Sequence, residues 1–482
     1  MKIYCMIFCL VTAMATISDG SEVYTNTTTR ADQKKVSVTV YNGGFGIIRD
    51  ERMIVLPKGT ISLKFEEVAE NIRPQTVRID PVTAGKSLQV IEQNYEYDVI
   101  TTEHLMEKYI GKEVTLIERN EYKGWREEKP AILVSYSWRD PIFKINDRIL
   151  VNWSGKEIEF PEVPKNLVAK PTLVWHLNND WEGEQRLVTT YMTGGMQWNA
   201  DYVAELSQDE TRCDLNGWVT LQNESGATYT EAELKLVAGD VHVEETTENI
   251  LKYEDFDLFS ADIGEEEDGK RFETEGLFEY HLYTLDRPTT LKNNQQKQIA
   301  LLEARDISIT KRYKSISKPE KANSAGKKQD FKLPIGVYII FTNSVKNNLG
   351  IPLPAGTVQV GITDSDLQYQ FVGEDTIDHT PKDEAVELCC GTAFDIAGER
   401  RLKDYTSLGD KRYEQEWEIM LRNHKDEDIK VEVIEPVNGE WEVLKHTFPY
   451  EKRDQYSIVF IVPVRKGEET VFTYRVRVQE LE

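Results

Sequence analysis

The sequence predicts an all-β, multidomain protein: antiparallel β-sandwich domains, one small SH3-like barrel and few short helices. Three observations predict it. Apolar residues recur with a period of two in run after run, the mark of strands with one buried face. The runs are short and are separated by Gly, Pro, Asn and Asp. A chain of 482 residues with nine Trp and 22 Tyr can bury several separate cores.

Taken in order, the chain opens with Lys2, an apolar run from Ile3 to Ile17 and then Ser18-Asp19-Gly20. One positive charge, a short apolar core and the small residues of Ala13-Met14-Ala15 predict a signal peptide over residues 1–20. The run is short for a membrane span, which needs about 20 apolar residues. Cys5 and Cys9 lack the small residues that a lipoprotein cleavage site requires, so no lipid anchor is expected. Residues 21–34 are polar and read as a loose leader.

A first β domain is expected over residues 35–100, from Val36, Val38 and Val40, then Ile61, Leu63 and Phe65, then Val77 and Ile79. Gly43-Gly44-Phe45-Gly46 falls between strands, with no helix start after it to hold a phosphate, so it reads as a tight turn. Glu103–Ile110 fits a helical turn or two, with Leu105, Met106 and Tyr109 on one side. The short strands that follow predict the SH3-like barrel over residues 101–164.

Two sandwiches are expected after Pro161, Pro164 and Pro171, over residues 171–320 and 331–482. The cleanest pattern lies in the first. Trp198, Ala200, Tyr202, Ala204 and Leu206 alternate with mostly polar neighbours. Leu215, Gly217, Val219 and Leu221 do the same, and after the turn Asn223-Glu224-Ser225-Gly226 so do Ala232, Leu234, Leu236 and Ala238. Three such strands predict an antiparallel meander. An acidic excursion runs from Val243 to about Glu275, with a short helix allowed at Ile250–Phe259. Its Glu265-Glu266-Glu267-Asp268 run lacks calcium-loop spacing and reads as a solvated loop. Lys318–Asp330 reads as a flexible connection. Further strands are expected at Tyr280–Leu285, Ile299–Tyr313, Ile335–Thr342, Val358–Ile362, Trp417–Leu421, Ile429–Val433, Ile458–Val464 and Val471–Val478.

The motifs WNADY (Trp198–Tyr202), LNGWVTLQNESG (Leu215–Gly226) and LKLVAGDV (Leu234–Val241) resemble the bacterial family known as domain of unknown function 4139. So do Tyr283–Ala304, Gly350–Val360 and Phe371–Asp395. The resemblance covers the last two thirds of the chain and implies an exported, β-rich protein with no assigned activity.

With 58 basic and 83 acidic residues the chain carries −25, which disfavours nucleic acid and anionic lipid as partners. Cys213, Cys389 and Cys390 are too few for a disulfide framework. Cys390 continues the alternation of Val386 and Leu388 and reads as a buried small hydrophobe, and a bridge from Cys213 to Cys389 or Cys390 is left open.

Motifs of nucleotide-binding loops, zinc hydrolases, serine hydrolases and dithiol redox centres are absent. The seven His are scattered, so neither a metal nor any other cofactor is predicted, and no catalytic or binding residue is assigned. The one constellation is the loop Glu374–His379, with Asp375 and Asp378, where carboxylates beside an imidazole suit acid–base or metal chemistry. The same residue types serve a polar turn, with Asp375 and His379 tying the loop. Trp218, on the polar side of its strand, is the surface aromatic, whereas Trp198 and Tyr202 read as core. Asn152-Trp153-Ser154 and Asn223-Glu224-Ser225 fit glycosylation acceptors.

The expected function is a secreted or periplasmic, non-catalytic binding or structural protein of the cell envelope, with a protein or surface polymer as partner. The alternatives are a hydrolase or metal-dependent enzyme built on Glu374–His379, and a periplasmic assembly or chaperone-like factor offering strand edges.

Overall fold

A computed structural model describes residues 24–480, apart from 83–87, 121–124, 138–139, 154–156, 165–166, 240, 244–271, 319–328, 367 and 410. The fold is all-β, as the alternation predicts. Among the described residues there is one α-helix, and no helix is long and apolar enough to cross a membrane. The expected signal peptide, the Ile250–Phe259 helix and the Glu265–Asp268 run lie outside the described residues. The chain forms two compact units, residues 1–36 with 48–193, and residues 37–47 with 194–482.

The first unit holds β1 (Tyr24–Thr28), the start of β2 (Gln33–Tyr41), most of β3 (Phe45–Leu56), β4 (Gly59–Glu66), β5 (Arg78–Pro81) and β6 (Leu88–Glu96). It continues through α1 (Thr102–Lys108), β7 (Glu113–Asn120), β8 (Trp125–Ser137), β9 (Asp140–Ile145), β10 (Arg148–Leu150), β11 (Glu157–Glu159), β12 (Thr172–Asn179) and β13 (Gly183–Gly194). One sheet has the order β1-β4-β12-β6, and β3, β13 and β5 pair in another. Phe65 and Trp175 meet edge to face in its core, with ring centroids 5.7 Å apart.

The loose leader expected at 21–34 is corrected from Tyr24 on. Tyr24–Thr28 pairs in parallel with β4, and a single 3₁₀ turn leads into β2. Polarity misled, because the Thr-rich segment has strong β propensity and its polar side chains are placed. Thr28 is buried, and the fully buried Arg52 donates to its carbonyl at 3.0 Å while pairing with Asp50 at 2.9 Å.

The segment expected as a closed barrel is an open five-stranded sheet, β10-β9-β8-β7-β11. Its end strands are three residues each and, among the described residues, do not pair with one another, so no barrel closes. The predicted helix is there: Thr101 caps α1 by accepting from the His104 N–H at 3.1 Å. Met106 and Tyr109 from its apolar side join Leu116, Leu133 and Phe143 in a small core.

The second unit continues with β14 (Met196–Leu206), β15 (Arg212–Asn223), β16 (Tyr229–Ala238), β17 (Phe272–Leu277), β18 (Tyr280–Leu285), β19 (Thr289–Leu291), β20 (Gln295–Ser308) and β21 (Thr310–Ile316). Then come β22 (Gln329–Lys332), β23 (Gly336–Thr342), β24 (Gly356–Thr363), β25 (Tyr369–Ile377), β26 (Ala385–Thr392) and β27 (Ile396–Gly409). The last are β28 (Arg412–Asn423), β29 (Ile429–Pro436), β30 (Glu440–His446), β31 (Glu451–Asp454), β32 (Ser457–Val464) and β33 (Glu469–Gln479). Within this unit the strand orders are β20-β15-β14-β24-β25, β17-β18-β16-β2, β26-β23-β21-β29-β32-β31 and β22-β27-β28-β33-β30.

Each predicted alternation is buried on the expected side, from Trp198 to Leu206, from Leu215 to Leu221, and from Ala232 to Ala238. The meander is corrected, however. β14 and β15 pair, but β16 crosses to the other sheet and β15 takes β20 as its second neighbour. The cause is Asn223. Its side-chain amide donates to the carbonyls of Ala227, Leu291 and Lys292 at 2.9, 3.2 and 3.1 Å, which arches the chain over the core and does not fold it back in plane. Trp198 Nε1 closes the layers by donating to Val237 O at 3.3 Å.

Smaller differences have similar causes. The acidic excursion ends at Phe272, where β17 begins, and the expected flexible connection ends in β22, where Asp330 pairs with Arg401 at 2.6 Å. The run expected at Ile299–Tyr313 is two strands, broken at Ile309, whose N–H turns to Thr211 O.

The second unit uses one arrangement twice. The order β20-β15-β14 facing β18-β16-β2 recurs as β33-β28-β27 facing β32-β29-β21, with β2 and β21 the parallel partners. Asn423 repeats the arch, donating to Glu427 O at 2.8 Å and Val464 O at 3.2 Å. Packing is exchanged between the copies. In the first, Tyr202 of β14 lies opposite Gly217, where a Cβ would come within 3.1 Å of its ring. In the second, Leu402 lies opposite Trp417, so the large side chain comes from the other strand of the pair.

Candidate functional site

β25 is the last strand of its sheet and β26 the first of the next, and the two run side by side without a ladder. They are tied at one place. The Asp375 carboxylate accepts the Cys389 N–H at 2.7 Å and the Thr376 N–H at 2.9 Å. One step along, a Cβ on Gly373 would lie 2.3 Å from Cys390 O, so only glycine permits this approach.

Beyond that contact lies a cleft of about 210 Å³. Leu206, Val337, Ile339, Ile362 and Val372 make it apolar, and Cys390 faces it. Both strands carry a β-bulge here, Val372 in β25 and Cys390 in β26, which turns those two side chains out of simple alternation. Lys311 and Glu210 stand at the same cleft as an ion pair. Burial alone would lower the Lys311 pKa, but Glu210 and Tyr313 together outweigh it and hold it raised.

Two of the thiols, Cys390 and Cys213, are held protonated. Burial, helped by neighbouring Cys389, pushes the Cys390 pKa up to about 11. Burial likewise pushes Cys213 up to about 12. Tyr338, beside Cys389, is raised to about 12, first by burial and then by its hydrogen bond to that thiol. Among the described residues the three cysteines, Cys213, Cys389 and Cys390, are free, which answers the question of a Cys213 bridge. Cys390 is half-buried, not part of a sealed core as its alternation suggests, because the bulge moves it to the cleft wall.

The Glu374–His379 loop does not gather into one site. Successive residues of β25 point to opposite faces, so Glu374 and Asp375 diverge. Glu374 accepts from the Gln359 amide at 3.3 Å, and Asp375 makes the tie already described. His379 Nδ1 accepts the Ala355 N–H at 3.0 Å. Among the described residues no three His, Cys, Asp or Glu side chains come close enough together to hold a metal ion.

Trp198 and Tyr202 are core residues, and Trp218 is half-buried on the outer face of β15. Of the two glycosylation motifs, Asn152 is exposed, whereas Asn223 is buried and spends its amide on the arch. Sequence reasoning missed Val372, Cys390 and Lys311 as cleft residues. A bulge adds one residue to one strand, and a count of period-two matches hides it.

Comparison with models of known families and with curated proteins finds no match to this chain.

Proposed function

We propose that this is an exported protein that binds or braces a partner in the cell envelope and performs no chemistry. The observation that carries the reading is the Asp375 carboxylate, committed to the Cys389 N–H across to β26 and to the Thr376 N–H in its own strand, with His379 likewise committed to Ala355. The groups best suited to acid–base work are thus engaged in holding loops and sheets. The apolar cleft with its high-pKa thiol supports the same reading. Export is supported by the Lys2 and Ile3–Ile17 pattern, and the motifs that resemble domain of unknown function 4139 point to the same compartment. The partner is a protein or a surface polymer.

The test has two parts. Cell fractionation with N-terminal sequencing should find the chain outside the cytoplasm and cleaved within the expected signal segment, residues 1–20. The immobilised protein should retain envelope material that protease treatment removes if the partner is a protein, or that glycan hydrolysis removes if it is a polymer. Turnover of a panel of ester, glycoside and phosphate substrates that is lost in His379→Ala would overturn the non-catalytic reading.

A further inference from the structure

We propose that the outer face of the β15-β14-β24-β25 sheet binds an uncharged, extended polysaccharide, with a sugar ring against Trp218 and its hydroxyls on Asp201 and the neighbouring amides. This rests on the binding reading above and narrows its partner to a polymer.

One row of cross-strand neighbours carries the site. Thr376, Thr357, Asp201, Trp218 and Ala300 lie side by side on adjacent strands, on the face turned away from the buried Tyr202, Val219 and Val358. Ala300 is too small to cover the Trp218 indole, which stays partly exposed. Beside Asp201 the face opens into a cleft of about 360 Å³, lined by Asn199, Asp201, Thr357 and Thr376. Gly356 lines it too, and a Cβ there would lie 2.0 Å from Ala200 O, so no side chain can fill the hollow from that strand. The volume falls in the range of about 300–1,000 Å³ that holds a small ligand, here one or two sugar units.

The chemistry of the face selects the occupant. A sugar offers apolar C–H faces that pack on an indole and a rim of hydroxyls that both donate and accept. Among the described residues only the Thr220 hydroxyl bonds the Asp201 carboxylate, through Oδ2, so Oδ1 is left to accept. Asn199 beside the cleft and Asn216 beside Trp218 likewise spend no side-chain amide among the described residues, and each amide is donor and acceptor at once. Neither the row nor the cleft lining contains Lys or Arg, so an anionic polymer meets no counter-charge. The repeat supplies the contrast. At the matching place in the second sandwich Arg401 lies opposite Glu418, and Lys403 pairs with the same carboxylate at 3.0 Å. One scaffold thus carries mutual ion pairs in one copy and an aromatic with unspent amides in the other.

Affinity electrophoresis of the full chain, in gels holding hydroxyethylcellulose, laminarin, dextran, galactomannan or polygalacturonate, reads the binding. Retardation by at least one of the neutral polymers is expected, and none by polygalacturonate. Trp218→Ala, with an unchanged thermal melt, should weaken it about tenfold. Glu418→Gln, at the matching place in the second sandwich, should bind as the natural chain does. If Trp218→Ala fails to fold, Asn199→Arg decides: it fills the cleft from an exposed position and should weaken binding by a similar factor. No retardation by any neutral polymer, tighter binding of polygalacturonate, or equal binding by the deciding variant would overturn the site. Envelope material that the natural chain and that variant retain equally, or that protease alone removes, would leave the binding reading standing and remove this face from it.

Discussion

Arg400 Nη2 lies 2.8 Å from Glu435 Oε2, and both side chains are buried inside the last sandwich. The guanidinium carbon also sits 3.4 Å from the centre of the Trp417 ring. Tyr474 donates to the same oxygen and Ser317 to Oε1, each at 2.6 Å, so both carboxylate oxygens are engaged. Burial would lower the Arg400 pKa, but Glu435 and Tyr474 outweigh it and hold it raised. Tyr474 is pushed well above its ordinary range, chiefly by burial and then by Glu435. The matching place in the first sandwich is Ala200, opposite Val219 as Arg400 is opposite Ile419.

Removing one partner should therefore cost far more than removing both. Glu435→Ala should lose about 3–5 kcal/mol, because it strands a buried cation. Arg400→Met with Glu435→Leu should come back to within about 1–2 kcal/mol of the natural chain, or exceed it. Urea unfolding of the three proteins checks this, and a cost below about 1 kcal/mol for Glu435→Ala would mean that the pair is not structural.

The repeated arch gives a paired prediction. Asn223→Ala leaves three carbonyls without their donor and Asn423→Ala leaves two. Each should cost about 1–3 kcal/mol, with the double variant close to the sum because the sites share no partners. Equilibrium unfolding of the singles and the double provides the measurement. If either alone is neutral, the arch is held by the strands and not by its asparagine.

Acid should act on the first unit through Glu67. Burial would raise its pKa, but its bonds to Lys170 and to the Arg30 N–H, the latter at 2.8 Å, prevail and hold it below the ordinary glutamate range. A folded-state pKa below the unfolded value of about 4.3 contributes stability that is complete above that pH and is lost as pH falls through the folded value. Glu67→Gln should be less stable at neutral pH by up to about 1 kcal/mol, and the gap should close in acid. Denaturant midpoints at neutral and strongly acidic pH test the sign; a gap that widens in acid would refute it.

How far the sequence could be read follows from what periodicity encodes. It shows which face of a strand is buried, so Trp198–Leu206 and Phe472–Val478 were legible to the residue. It does not show which strand is the neighbour. β16 looked like the third strand of a meander because pairing is decided by Asn223, one side chain with three distant acceptors. The small sheet looked like a barrel because closure depends on end strands only three residues long. β25, β26 and β27 were not separated, since bulges and exposed apolar residues blur their alternation. The candidate loop could be located but not resolved, because a carboxylate that ties two strands and one that moves a proton are the same letter.

The hairpin of β2 and β3 has a consequence for biosynthesis. Residues 37–47 belong to the second unit although residues on both sides belong to the first. Val38 and Val40 lie alongside Leu234 and Leu236, and Ser37 hydrogen-bonds Glu233 across 196 residues of chain. This segment thus leaves the ribosome well before the strand it pairs with, and such long-range pairing is slow to form. A clone that starts at Gly194 would leave one layer short of a strand, so dissecting this protein by truncation calls for supplying the early hairpin in trans.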